Sequence, residues 1–224
     1  YFCRILELVP GDGKTHFFRG LANQGMGKHQ FALEFFRASV NLSPDFADGW
    51  LNLAMEATKD EPEAKILEYV NRYVKLTGHE SLGHYVVSGA YKTWHKYDQA
   101  AKYAELSVKL EPKNFGYLHN LGQIYSYAKR FEESEKILAE AETLTPKPGI
   151  IYSERALNAL NMGKFKTSIE YYQKALAANP ESGNIHQSLA RVYQRLNDTP
   201  NATKEEALYR EWEIKNKADK SNGH

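Results

Sequence analysis

The sequence is poor in the features that support disulfide bonds, membrane insertion or nucleic-acid binding. Cys3 is the single cysteine in 224 residues, which excludes an internal disulfide framework but leaves the cellular compartment open. No apolar run reaches the roughly 18 residues that a membrane-spanning helix needs, so we expect no integral membrane segment. Lysine and arginine number 29 and aspartate and glutamate 28, so the chain lacks the positive excess typical of nucleic-acid partners.

Signatures of catalysis and metal binding are also lacking. No Gly-x-Ser-x-Gly turn or comparable nucleophile site occurs. Residues 11–15 end like a phosphate-binding loop, but Leu8 stands where that motif requires glycine. His79 and His84 lie about 140° apart on a helix, so they cannot readily share one metal ion. We therefore expect no enzyme activity in this segment, no metal site and no cofactor.

Turn-forming residues recur at a fixed interval of 34 residues. This ladder consists of Pro10, Pro44, Gly78, Pro112, Pro146 and Pro180. Small residues keep the same interval at Gly20, Ala54, Ser88, Gly122, Ala156 and Ala190. Because small side chains let helices approach closely, we predict that Gly122 is a close contact between the two helices of its repeat. A fixed period of this length is the signature of a tandem repeat.

Each repeat contains two segments in which apolar residues have helical spacing. In the first segment of one repeat the apolar stripe is Leu118, Leu121, Gly122 and Tyr125. In the second segment of the next repeat it is Phe165, Ile169, Tyr172 and Leu176. Both sets fall on one face of a helix. We expect two helices of about a dozen residues in each repeat, and proline to close the second because it cannot continue a helix.

These motifs resemble the tetratricopeptide repeat (TPR) family from Gly13 to about Trp212. The residues that carry the resemblance are Trp50-x-x-Leu53-Ala54, Asn120-Leu121-Gly122-x-x-Tyr125 and the run from Tyr171 to Pro180. The resemblance implies an all-α fold, an α-solenoid of tandem helix-turn-helix TPR hairpins forming a right-handed superhelix. Local departures are Gly78 in place of proline, Asp60-Glu61-Pro62 in the second repeat, and Arg19 and Asn23 at positions that are usually apolar.

The 34-residue ladder also predicts the repeat boundaries. Residues 1–12 form the second helix of a truncated repeat, and the final stretch, 215–224, forms a frayed tail. Between them we predict six repeats at 13–46, 47–80, 81–114, 115–148, 149–182 and 183–214, the last with an extended capping helix. The chain has no initiator methionine and begins inside a repeat, so we expect a piece of a longer protein. Localisation and any targeting signal therefore stay open.

The expected function is a non-catalytic module that binds a peptide or helix of another protein in its concave groove. One alternative is the substrate-recruiting arm of a larger enzyme such as a glycosyltransferase. Asn52 and Asn120 stand where O-linked glycosyltransferase repeats place an asparagine ladder, which is broken here by Phe18, Val86, Glu154 and Ser188. Another alternative is a scaffold that self-associates, so a homo-oligomer is possible.

The resemblance implies that the first helix of each repeat lines the concave side. By helical periodicity, residues one, five and nine places after the start of each apolar stripe should face that side. Together with the two asparagines, the candidate groove residues are Phe17, Leu21, Leu51, Asn52, Met55, Tyr85, His119, Asn120, Gln123, Tyr127, Asn161, Gln187, Arg191 and Arg195.

These candidates predict a groove whose chemistry changes along its length. The early half is mainly apolar, and the late half is polar to basic, with Lys59 and Leu157 as exceptions. We expect an apolar anchor near Phe17 and Met55, with packing of these apolar residues against the truncated preceding repeat as the competing explanation. Further along, Arg191 and Arg195 favour an acidic group of the partner.

Overall fold

The structure is a computed structural model that describes residues 12–221, with side chains for residues 12–217. Every regular element in that range is helical and no strand occurs there, which confirms the all-α prediction. None of these helices has both the length and the apolar character needed to cross a bilayer. The α-helices are α1 Gly13–Gly25, α2 His29–Leu42, α3 Ala47–Glu56, α4 Glu63–Thr77, α5 Glu80–Thr93, α6 Tyr97–Leu110, α7 Phe115–Tyr127, α8 Phe131–Glu142, α9 Gly149–Asn161, α10 Phe165–Ala178, α11 Gly183–Arg195 and α12 Thr199–Ser221.

The helices fall into two compact units, which divide between Pro112 and Lys113. The first unit contains α1 to α6, and the second contains α7 to α12. Within each unit, consecutive helices pair as hairpins, such as α1 with α2 and α7 with α8, and neighbouring hairpins stack on each other. A hairpin of two short helices cannot bury its own apolar faces, so stacking completes the core, as in any α-solenoid. The predicted helix at 1–12 lies outside the described residues except for Asp12.

The loop inside a hairpin contains one residue with positive φ. These residues are separated by multiples of 34 and are Gly27, His95, Lys129, Gly163 and Asn197. At one of them, the Lys129 amide donates to the Ser126 carbonyl at 3.0 Å, and the Arg130 amide donates to the Tyr125 carbonyl at 2.8 Å. Such bonds satisfy the last carbonyls of the first helix, which compensates for a left-handed backbone at non-glycine residues.

The second hairpin of the first unit departs from this pattern at its acidic turn, residues 60–63. A 3-10 helix, Ala57–Lys59, leads into this turn instead of a left-handed residue. From the preceding hairpin, Arg37 donates to Glu61 at 2.5 Å. From the following hairpin, Lys96 donates to Glu63 at 2.6 Å. The irregular sequence of this repeat thus supplies two carboxylates, Glu61 and Glu63, that bond to the hairpins before and after it.

Gly78 explains the other irregularity, the missing proline. It ends α4 with a left-handed backbone at φ +72°, and its amide donates to the Val74 carbonyl at 2.7 Å. A glycine in this conformation stops a helix as effectively as the proline that follows the other second helices.

Two tyrosines donate hydrogen bonds to the acidic turn. The Tyr69 hydroxyl donates to Glu61 at 2.8 Å, and the Tyr91 hydroxyl donates to Glu63 at 2.7 Å. Burial, reinforced by these carboxylates, raises the pKa of each tyrosine from its ordinary value of 10.0 to about 12. Both hydroxyls therefore stay protonated in the folded chain at pH values where a free tyrosine has ionised.

We expect the first unit to lose stability between about pH 10 and pH 12. The unfolded chain releases the two tyrosine protons near pH 10, whereas the folded chain holds them to about 12. The stabilisation is therefore complete below pH 10 and is lost as the pH rises to about 12. Thermal unfolding followed by circular dichroism at a series of alkaline pH values measures this loss. A Tyr69→Phe, Tyr91→Phe variant should decline less steeply, and an unchanged slope would assign the effect to other groups.

Gly122 is a point of close approach between α7 and α8, as predicted. A β-carbon added there would lie 2.5 Å from Cδ2 of Leu138. The Ser134 hydroxyl donates to the Gly122 carbonyl at 2.7 Å and accepts from the Asn158 amide at 2.8 Å. Because Ser134 and Asn158 are fully buried, these bonds satisfy their polar groups and tie α9 to the preceding hairpin.

The last helix, α12, continues past the predicted start of the frayed tail. It runs to Ser221, residues 222–224 lie outside the described part, and the frayed tail stays a prediction. The Trp212 ring packs on Gly183, where a side chain would collide with it. Lys215 reaches Glu181 at 3.1 Å. These contacts with the start of α11 support the helix at the point where the sequence predicted fraying.

Candidate functional site

Phe17, which periodicity assigned to the concave surface, is a core residue of α1. Only 8% of its surface is exposed. Its ring centroid lies 5.8 Å from that of Phe36 and 5.0 Å from that of Phe46. The next residue, Phe18, is 48% exposed instead. The assignment of Phe17 to the exposed surface is therefore wrong, because aromatic rings from α2 and from the loop before α3 enclose it.

The other candidates in the first unit lie at or near the surface. Met55 is half exposed near the end of α3. Asn52 is half-buried, and its amide donates to the Asp48 carbonyl of its own helix at 2.9 Å. The half-buried apolar candidates are Leu21, Leu51 and Tyr85. Without Phe17, this surface keeps an apolar character, and Met55 is the large exposed apolar side chain among the predicted residues in the first unit.

In the second unit, two candidates join a hydrogen-bonded group that links α7 and α9. His119 Nε2 lies 2.9 Å from Glu154 Oε1, and the Gln123 amide donates to the same oxygen at 2.7 Å. The His119 ring stacks on Phe115 with 5.5 Å between centroids. Glu154 interrupts the asparagine ladder in the sequence, but in the structure it connects the first helices of two hairpins.

The remaining candidates of the second unit divide between core and surface. Asn120 is buried, which corrects its assignment to the groove surface as part of an asparagine ladder. Gln187 is half-buried. The exposed candidates are Tyr127, Asn161, Arg191 and Arg195. The structure therefore places most of the predicted late-groove residues where a partner could reach them.

An open groove of about 1060 Å³ lies between α9 and α11 of the second unit. On its α9 wall, Ile150 and Leu157 are 53% and 45% exposed. Its α11 wall carries Asn184, Ser188 and Arg191. Buried side chains below them complete the lining: Tyr172, Ala175 and Ile185. Exposed aliphatic side chains beside polar groups in a concave surface are typical of a binding site, and Ile150 joins Leu157, which the sequence already marked as an exception to the polar late groove.

Three charged residues line this groove: Lys147, Glu154 and Arg191. The carboxylate of Glu154 is already bonded to His119 and Gln123. Within the described part of the chain, neither Lys147 nor Arg191 has a carboxylate oxygen within 4.0 Å. Burial raises the pKa of Tyr172 above its ordinary value, so the hydroxyl on the groove floor remains neutral. The charge that the groove leaves available for a ligand is therefore positive.

Two stretches of the second unit match sequence models described as tetratricopeptide repeat. One match covers residues 115–148 and the other covers residues 153–219. The second unit of the chain contains tetratricopeptide repeats. The resemblance inferred from its motifs is thus confirmed. No group of three or more His, Cys, Asp or Glu side chains that could hold a metal ion occurs in the described part of this TPR protein.

A curated relative is the BBSome complex member BBS4 of Mus musculus. The two sequences are 28% identical over 167 residues, which is 75% of this TPR chain. The chain spans only 25% of the length of that relative. The match therefore concerns a region of a longer protein.

Solved structures share the fold. The crystal structure of the APC/C hetero-tetramer Cut9–Hcn1 matches with a TM-score of 0.74 at 15% identity, covering 94% of this chain and 42% of that one. The PilF structure from Pseudomonas aeruginosa matches with a TM-score of 0.68 at 14% identity, covering 91% and 97%. TTC0263, a TPR protein of Thermus thermophilus, gives 0.65 at 20%, covering 81% and 99%. At these identities the likeness shows the fold alone.

Ile150 and Lys147 are among the groove residues that sequence reasoning missed. Ile150 lies seven residues before Leu157, or nearly two helical turns, so the two share one face of α9. Extending the periodic set toward the helix start would have found it. Lys147 lies in the loop before α9, where helical periodicity does not apply, and the sequence carries no signal for it.

Proposed function

We propose that this TPR chain is a non-catalytic module that holds a segment of another protein in the groove between α9 and α11. The observation that carries the proposal is the pair of exposed aliphatic side chains, Ile150 and Leu157, on one wall of an open groove. Leaving such side chains in water is unfavourable, and a protein segment that covers them removes that cost.

The dimensions of the groove suit a polypeptide. Ile150 and Leu157 are separated by about 10 Å along α9, at 1.5 Å per residue. A partner helix places side chains at this separation when they are seven residues apart, as in other helix-in-groove complexes. The polar residues of α11 then lie opposite the apolar wall, where they can orient the partner through hydrogen bonds.

The names of similar proteins support this proposal. The mouse relative is described as a member of a complex, and the Cut9 structure was solved as a hetero-tetramer with Hcn1. Both descriptions concern proteins that belong to assemblies of several chains. We propose by analogy that this chain contributes a binding surface to a larger assembly, an inference from likeness and not from the site itself.

The test is affinity purification with the intact chain, an Ile150→Asp, Leu157→Asp variant and an Ile214→Asp control. Ile214 is 69% exposed on α12 and lies outside the groove lining. Ile214→Asp therefore also replaces an exposed aliphatic side chain with a carboxylate, but away from the groove. We expect mass spectrometry to identify proteins that the intact chain and the control retain and that the groove variant loses. Equal retention by all three folded proteins would place the binding surface elsewhere.

A further inference from the structure

The two walls of the α9–α11 groove differ in chemistry at equivalent positions of the repeat. Leu157 and Arg191 are 34 residues apart and therefore occupy the same position in successive first helices. Ile150 and Asn184 are related in the same way. The α9 wall is thus aliphatic where the α11 wall is polar or cationic. A partner that satisfies both walls must itself be amphipathic.

The carboxylates near Arg191 are already engaged by other groups. Across the groove, Glu154 is bonded to His119 and Gln123. A second cavity on the other side of Arg191, between α11 and α12, is lined by Glu206 and Glu213. Glu206 accepts a hydrogen bond from the Gln194 amide at 2.7 Å and lies 3.9 Å from Arg210. Glu213 lies 3.3 Å from Lys217.

Arg191 and Lys147 therefore remain as cations that the described part of the chain does not neutralise. Arginine binds carboxylates through two parallel hydrogen bonds, and such bonds are stronger beside an apolar surface than in bulk water. A basic partner segment would be repelled, and an uncharged one would offer only neutral acceptors, which bind a guanidinium more weakly than a carboxylate does.

We infer, building on the proposed function, that the groove selects an acidic amphipathic segment of a partner protein. Its aliphatic or aromatic side chains contact Ile150 and Leu157, and its carboxylates bind Arg191, with Lys147 adding attraction at the entrance. Charge complementarity thereby sets the orientation of the segment, because reversing it would place carboxylates against the aliphatic wall.

The experiment is selection of a phage-displayed random peptide library on the intact chain as bait. Parallel baits are Arg191→Glu, Leu157→Asp, and Lys166→Glu as the control for charge reversal. Lys166 is exposed on α10 and lies outside the groove lining. We expect the intact chain and the control to enrich peptides that combine Asp or Glu with Leu, Ile or Phe. The Arg191→Glu bait should lose the enrichment of acidic residues.

Fluorescence anisotropy then measures how strongly the groove prefers acidic side chains. It compares the affinity of a selected acidic peptide with that of an analogue in which Gln and Asn replace Glu and Asp. We expect the analogue to bind the intact chain about tenfold more weakly, and Arg191→Gln to remove most of this preference and reduce the salt dependence. Enrichment of neutral or basic peptides that Leu157→Asp abolishes would overturn the acidic specificity and leave the proposed function standing. Identical enrichment by the intact chain and Leu157→Asp would overturn the proposed function itself.

Discussion

Replacing Phe17 with alanine should lower the free energy of unfolding by about 3–5 kcal/mol, the usual cost of removing a buried phenylalanine. The ring is 8% exposed and contacts Phe36 and Phe46, so its loss leaves a cavity that helices on two sides cannot easily close. Chemical denaturation followed by circular dichroism measures the change. The effect should appear in the transition of the first unit, which contains all three rings.

The neighbouring Phe18 provides a matched control. Its ring is 48% exposed, so Phe18→Ala removes the same atoms with much less loss of burial. We expect a change of less than about 1 kcal/mol, as is usual for surface substitutions. A change of less than about 1 kcal/mol for Phe17→Ala as well would mean that the Phe17 ring is exposed, and would restore it as a candidate contact residue.

Replacing Gly122 with leucine should destabilise the second unit by about 1–3 kcal/mol, although leucine favours helix formation more than glycine does. The β-carbon alone would lie 2.5 Å and 2.7 Å from Cδ2 and Cγ of Leu138. Because the backbone of α7 is also held by the bond from Ser134 to the Gly122 carbonyl, the helices cannot separate without losing that bond. The shift of the thermal unfolding midpoint reports the cost.

Gly89 tests whether the cost comes from packing or from the substitution itself. It lies within α5, and a β-carbon there would meet nothing within 4 Å. Gly89→Leu should therefore stabilise the chain by up to about 1 kcal/mol through helix propensity. A stabilised Gly122→Leu variant would contradict the close approach of α7 and α8. Destabilisation by Gly89→Leu would mean that the side chains around Gly89 leave no room for leucine.

Helix-level organisation was predictable from the sequence because it depends on local periodicity. The stripe from Leu118 to Tyr125 defines a helix whose apolar face is fixed by 3.6 residues per turn. The small residue in that stripe, Gly122, marked the close approach to α8, and the structure confirms it. Repetition at 34 residues made each local inference reinforce the others, which is why an all-α repeat architecture followed without any contact information.

The candidate site was predictable only in part. Helical periodicity shows which residues share one face of a helix, but not how deeply each of them is buried. Phe17 and Phe18 are neighbours, and which of them is buried depends on rings supplied by α2 and by the loop before α3. Asn120 was likewise placed on the correct helix but proved to be buried. Arg191 was correctly expected to be exposed, whereas Ile150 beside it in the groove was missed.

By itself the sequence determined the helices, their 34-residue repetition and the absence of an internal disulfide framework, since these depend on residue type and short-range spacing. Only the tertiary structure decided which charges remain available to a partner. Glu154 and Arg191 are both charged residues on first helices, but Glu154 is bonded to His119, 35 residues away in sequence, whereas Arg191 faces an open groove. Electrostatic interaction depends on distance in space, and stacking of the hairpins sets that distance.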